Sequence, residues 1–385
     1  MAFISAADTD RRRRVFTPFV LAFALAAAAF LGSSHPAAAA DDVFTVSNVT
    51  VDATAATAAV ARERAIQDGQ RRAFVRLLQR LTPQAERSHL PQVSDTAIAD
   101  LVRDFEIAGE KTSAVRYIAS LTVRFKPTDV RALLRQRGVA FSETPSKPIL
   151  VLPVYDDGAG ATLFQDNPWR AAWAARMTGD GLVAFLLPHN DAADAATITT
   201  EQAVAGNDAA LRAIASHYGV TDVLVAVAQA HPDESSGHNA IDVSASRFGT
   251  SATEESIVTA FAPTADDSNS NAVFDRAVAA IADRIEESWR QSSLLHFDVQ
   301  REISVRVPLG SLNRLVTVMH SLEGLAQIRH VDLVRVAYDE ADLRLQFIGE
   351  ENQLTLLLAQ RDLALSRDAG GFVLRSKSVG PGGQL

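Results

Sequence analysis

Pro148-Ile149-Leu150-Val151-Leu152-Pro153-Val154-Tyr155 is the stretch on which the fold turns. From Ile149 to Tyr155 it is apolar without alternation, the pattern of a strand covered on both faces by helices. Leu182 to Leu187 repeats that pattern and Val223 to Val227 repeats it again. Between these runs lie helix signals. Asn167-Pro168 reads as a cap and a first-turn proline opening a helix through Trp169 and Trp173, and Asn207-Asp208 opens another through Leu211 and Ile214. Two further strands are expected near Ile241–Ala245 and Ile257–Phe261. A closing helix then carries Phe274, Ala277, Val278, Ile281, Ile285 and Trp289 on one face. Buried strands alternating with helices predict a central α/β sheet domain over residues 149–293.

Working outward, residues 143–148 (Glu-Thr-Pro-Ser-Lys-Pro) hold two prolines and no periodicity, so they read as a linker. Upstream, residues 41–142 predict an N-terminal βαββ-type module, in full strand, helix, helix, strand, strand, helix. Ala58, Ala61, Ala65, Gly69, Ala73, Leu77 and Leu81 give its long helix one face of small residues suited to close packing on a sheet. Downstream, residues 294–378 read as βαββαβ, a C-terminal ferredoxin-like module ending in a strand at Phe372–Leu374. Residues 379–385 read as a disordered tail. The fold class expected is therefore α/β with α+β flanks.

Residues 1–40 read as a signal peptide. Arg11 to Arg14 form a positive start, Phe19 to Leu31 an apolar run, and Ala38-Ala39-Ala40 a cleavage site. The run of thirteen, at about 1.5 Å per residue, is too short for a bilayer core of about 30 Å. The expectation is a periplasmic protein exported by the Sec route, with no membrane span after cleavage. Cysteine is absent, which excludes disulfides, thiolate metal sites and a cysteine nucleophile. Charge is uneven. Residues 41–142 carry 15 Lys+Arg against 12 Asp+Glu, a net +3, whereas residues 143–293 carry 8 against 21, a net −13. An acidic body argues against nucleic acid as a partner.

Several segments together resemble a family. They are the Ala-rich helix ending Leu77-Leu78-Gln79-Arg80-Leu81, the strand Tyr117 to Phe125 followed by Val130 to Leu134 and Gly138, and Pro148 to Pro153 with Asp157-Gly158. Gly181 to Pro188 and Ala215 to Gly219 continue the pattern. This layout is similar to an uncharacterised family of exported proteobacterial proteins, domain of unknown function (DUF) 2066. The resemblance implies no catalytic residue and no cofactor.

Candidate chemistry is sparse. Asp156 and Asp157, before Gly158-Ala159-Gly160, offer a carboxylate pair for a hard cation or an Asp-Gly turn. Trp169 and Trp173, four apart on a helix, offer a stacking platform for a sugar or large core residues. His231 to His238 groups two histidines and two carboxylates in a turn-rich segment, read as a solvated loop. Arg72, Arg76 and Arg80 make a basic stripe, a candidate interaction surface for an envelope protein, an anionic envelope component or the acidic central domain. No catalytic, metal or cofactor residues are assigned, and oligomeric state stays open. The function expected is a non-enzymatic interaction or scaffold protein of the cell envelope, ahead of a small-ligand or glycan binder and then a hydrolase.

Overall fold

A strip of small side chains lets the longest helix lie directly on the first sheet. The computed structural model describes residues 43–177, 181–232, 239–249, 256–264, 271–294, 300–323, 325, 327–368 and 370–376. The segment read as a signal peptide, most of the His231–His238 segment and the segment read as a C-terminal tail lie outside the described residues. Strand β1 (Thr45–Thr54) leads to α1 (Ala58–Leu81), whose first turn is capped by Thr57 Oγ accepting from the Val60 N–H. A 3-10 turn (Gln84–His89), α2 (Asp95–Leu101), β2 (Val102–Thr112), β3 (Arg116–Phe125) and α3 (Pro127–Gln136) follow. The strands form an antiparallel sheet in the order β1-β3-β2. Ala61, Ala65, Gly69 and Ala73 are buried against it. A Cβ at Gly69 would collide with Leu121 and come within 2.8 Å of Val51 Cγ1, so this glycine sets the approach distance.

The second sheet explains the apolar run at Ile149. Its elements are β4 (Ile149–Asp156), β5 (Ala161–Thr162), α4 (Pro168–Arg176), β6 (Phe185–Leu186), α5 (Ala192–Thr197), α6 (Thr200–Val204) and α7 (Asp208–His217). Then come β7 (Asp222–Pro232), β8 (Asn239–Gly249), β9 (Ser256–Phe261) and α8 (Ala272–Ser292). The order is β5-β4-β7-β8-β9, with β6 also on β4. β4 is parallel to β6 and β7, and the rest pair antiparallel. Ile149 and Val151 join a core with Trp169, Trp173 and the apolar face of α8, while Leu150, Leu152 and Val154 join another with Leu211 and Ile214. Each such side chain, fully buried, contributes about 1.5–3 kcal/mol. The run Leu182–Leu187 departs from expectation, since only Phe185–Leu186 pairs. Leu182 and Val183 are buried in the α4/α8 core without joining the ladder.

The third sheet is built from β10 (Gln300–Pro308), α9 (Leu312–Glu323), β11 (Ile328–Val336), β12 (Glu340–Ile348), α10 (Glu351–Gln360), β13 (Leu363–Asp368) and β14 (Gly371–Ser376). This corrects the expected βαββαβ order by one strand. The sheet runs β11-β12-β10-β14-β13, with β14 parallel to β10 and inserted between β10 and β13. The expected last strand is thus the second arm of a hairpin, turned at Gly371 with φ +116°. The molecule is a mixed α/β protein with three sheets.

The described residues from Val43 onward form one compact unit, and the proline segment read as a linker makes contacts on several sides. Ser142, Glu143 and Thr144 are buried. The Ser142 N–H donates to Leu81 O at 2.8 Å, and its hydroxyl meets that of Ser293 at 2.6 Å. Trp289 Nε1 donates to Thr144 O at 2.8 Å, and the Lys147 N–H donates to Gln360 Oε1 at 2.6 Å. Elements from all three modules are therefore stitched to residues 142–147.

Candidate functional site

The arginine stripe faces its own sheet. β1 is an edge strand, and a bulge between Val46 and Val49 places Asn48 at φ +55°. Four residues on a helix rise about 6 Å, close to the length of two strand residues. Arg72, Arg76 and Arg80 can therefore step along β1 in register. Arg72 donates to Thr50 O at 3.1 Å, Arg76 to Asn48 O at 3.5 Å, and Arg80 to Val43 O and Thr45 O at 2.6 and 2.7 Å. Arg72 also pairs with Asp68 one helical turn back, which raises its pKa. Arg80 is only 7% exposed. The innermost member of the stripe is thus enclosed by the edge it grips, whereas Arg72 and Arg76 stay exposed.

The other candidates resolve into structure. Trp169 and Trp173 are fully buried and pack edge-on at 5.9 Å between ring centroids, with Trp169 Nε1 donating to Ala226 O at 2.9 Å. Neither offers a face to a sugar ring. Asp156 Oδ1 accepts from the Gly158 N–H and Asp157 Oδ1 from the Ala159 N–H, so both carboxylates close turns. Among the described residues no three His, Asp or Glu side chains gather to hold a metal ion. His231 lies within 3.8 Å of Asp242 on the neighbouring strand.

Two places remain with the geometry of a site. The first is a cleft of about 480 Å³ between the end of α1 with its 3-10 turn and the outer face of α8. Arg76, Gln79, Arg80, Gln84 and Arg87 line one wall. Arg176, Asp283, Glu286, Glu287 and Arg290 line the other. The Glu286 carboxylate is buried between Arg176 at 2.9 Å and Arg290 at 3.2 Å. Glu287 accepts from the Gln84 backbone N–H at 3.1 Å, linking the walls. Burial opposes its ionisation, yet hydrogen bonds from Gln291, Gln84 and Arg290 outweigh burial and hold its pKa below the ordinary value. Sequence reading missed Asp283, Glu286, Glu287 and Arg290. Their spacing of three, four and seven residues on the face beside the apolar stripe was the available signal.

The second place is the free edge of the central sheet. β9, Ser-Ile-Val-Thr-Ala-Phe, contains no charged residue and pairs only with β8 among the described residues. Val258 on it is 79% exposed. A groove of about 290 Å³ runs between β9 and α8, lined by Val243, Ile257, Phe261, Ala280 and Ile281 with Arg284 beside them. An unpaired strand alongside an apolar groove matches the geometry by which proteins take up an extended peptide as an added strand.

Residues 44–143, which make up the N-terminal module, match the family model of a domain of unknown function, DUF8605. That finding overturns the resemblance to DUF2066. The segments that carried it, an Ala-rich helix between strands and a buried strand after proline, are packing features shared by many βαββ and α/β units. No curated protein and no solved structure matches the chain.

Proposed function

We propose that this chain is an exported, non-enzymatic interaction module of the cell envelope that receives an extended apolar segment of a partner protein along β9. The observation that carries the reading is the uncharged, exposed edge beside the β9–α8 groove. Backbone groups of the edge supply register and affinity, and the groove accepts every second side chain of the incoming strand. The order of positive, apolar and small residues in 1–40 supports the periplasmic assignment. No helix among the described residues is long and apolar enough to cross a membrane. The flanks fit this reading as a βαββ unit and a ferredoxin-like unit extended by the β13–β14 hairpin, two supports for the central sheet.

The test is binding of residues 41–385 to an array of extended peptides carrying apolar residues at alternate positions, with amide exchange as the second readout. Saturable binding should slow exchange in Ser256–Phe261. Val258→Lys should weaken binding at least tenfold, about 1.4 kcal/mol, while leaving thermal unfolding nearly unchanged, because the side chain is on the surface. Peptides that bind without protecting β9, or that bind Val258→Lys as tightly, would sink the proposal. Mass spectrometry of the N-terminus in periplasmic fractions checks the export half, and a product beginning at Met1 would refute it.

A further inference from the structure

The cleft between α1 and α8 has an unbalanced charge pattern that the β9 reading leaves unused. Its first wall holds three guanidinium groups, Arg76, Arg80 and Arg87, and no carboxylate. Its second wall sets Arg176 and Arg290 against Asp283, Glu286 and Glu287. The two guanidinium groups of this lining that pair with no carboxylate among the described residues are Arg76 and Arg87. Glu286 is occupied by Arg176 and Arg290, and Glu287 by Arg290 at 3.2 Å and the Gln84 N–H. Arg80 is buried on the β1 carbonyls. Arg76 and Arg87 are exposed and, among the described residues, reach only the carbonyls of Asn48 and Gln79, each at the 3.5 Å limit of a hydrogen bond.

We propose that this cleft binds a soluble phosphate monoester of a polyhydroxylated molecule, with the phosphate held by Arg76 and Arg87. A phosphate monoester carries a charge of about −1.5 to −2 at neutral pH, which matches these two guanidinium groups. The planar fork of a guanidinium pairs two N–H groups with two phosphate oxygens. A cleft of about 480 Å³ exceeds what a bare phosphate fills and lies within the range of about 300–1,000 Å³ usual for small-molecule sites. The remaining lining suits hydroxyl groups. Gln79 and Gln84 present carboxamides that donate and accept, and Asp283, 72% exposed, presents a carboxylate that accepts from hydroxyls and repels a second anionic group. A recess between two helices, one of them in the acidic domain, favours a free molecule over the head groups of a flat anionic membrane.

Calorimetric titration of residues 41–385 with inorganic phosphate, sn-glycerol 3-phosphate and glycerol tests this. Glycerol 3-phosphate should bind more tightly than phosphate, glycerol should not bind, and both affinities should fall with added salt. Arg76→Gln with Arg87→Gln should weaken both ligands at least tenfold, and Asp283→Asn should weaken glycerol 3-phosphate alone. Unchanged thermal unfolding of each variant keeps loss of binding separate from loss of fold, and Val258→Lys should leave phosphate binding intact, separating this site from β9. No saturable binding of either phosphate, or equal affinity in the double variant, would overturn the proposal. So would tight binding to phosphatidic acid vesicles that glycerol 3-phosphate fails to compete away.

Discussion

The first sheet and the central sheet both end in an exposed strand, and the two strands are defended in opposite ways. β2 carries Arg103, Asp104, Glu106, Glu110 and Lys111, with Asp104 bridged by Arg103 at 2.9 Å and Arg124 at 2.7 Å, and Glu110 bridged by Arg62 at 3.4 Å. The opposite edge, β1, is closed by arginines from α1 that donate to its carbonyls. β9 carries no charged side chain, and Arg276 of α8 donates to Ala262 O, one residue past the strand, rather than to β9 itself. Charges on an edge make an added strand desolvate them, which discourages pairing; an uncharged edge imposes no such cost. Both β2 and β9 lie antiparallel to their single neighbour, so backbone geometry does not separate them. Side-chain chemistry decides which edge stays solitary and which accepts company.

The largest test of that contrast is Trp169→Ala. Trp169 is fully buried, packs on Phe274 with 6.4 Å between ring centroids and hydrogen-bonds Ala226 O. Its loss should cost about 3–5 kcal/mol in denaturant unfolding. Because Phe274 belongs to α8, the helix that walls the β9 groove, peptide binding should weaken as well. Undiminished binding would show that the bare edge suffices without its groove. A middle-sized effect is expected for Gly69→Val, which forces α1 away from Leu121 and Val51 and should cost about 1–3 kcal/mol. Peptide affinity should stay at the parent value there, and a parallel loss would mean that the two edges are coupled.

The smallest effect is a pH dependence confined to one edge. Hydrogen bonds from Arg103 and then Arg124 hold the Asp104 pKa below its ordinary 3.8. A carboxylate whose folded pKa is depressed stabilises the fold above its unfolded pKa, and that contribution fades as pH falls through the folded value. Acidification below pH 3.8 should therefore remove the carboxylate half of the β2 charges while Arg103 and Lys111 stay charged, a small loss of stability read by denaturant unfolding. Asp104→Asn should produce a weaker version at neutral pH. Peptide capture at β9, a strand without a titratable group, should vary less across the same window.

The elements of the central domain were legible because one local pattern encodes each of them. The unbroken apolar run at Ile149 follows from two cores on opposite faces of β4, and the small face of α1 follows from its contact with β1 and β3. Of the hairpin β13–β14 only the second arm was legible, because Leu363 to Asp368 is short and only Leu363 in it is buried. The cleft was hidden for another reason. Its walls join residues such as Gln84 and Glu287, 203 positions apart, and no local periodicity records a partner at that distance. The stripe Arg72, Arg76 and Arg80 was visible as a helical register, but the bulge at Asn48 that turns β1 carbonyls into its acceptors leaves no mark in the arginines themselves.

The junction at residues 142–147 has a consequence for portability. The family match ends at Glu143, inside a seam where Ser142 meets Ser293 and the Thr144 carbonyl meets Trp289. A fragment cut at that boundary would leave the Ser142 hydroxyl without the Ser293 partner that meets it. Residues 44–143 on their own should therefore be less stable than within the full chain, and the end of α8 is the surface they would lack.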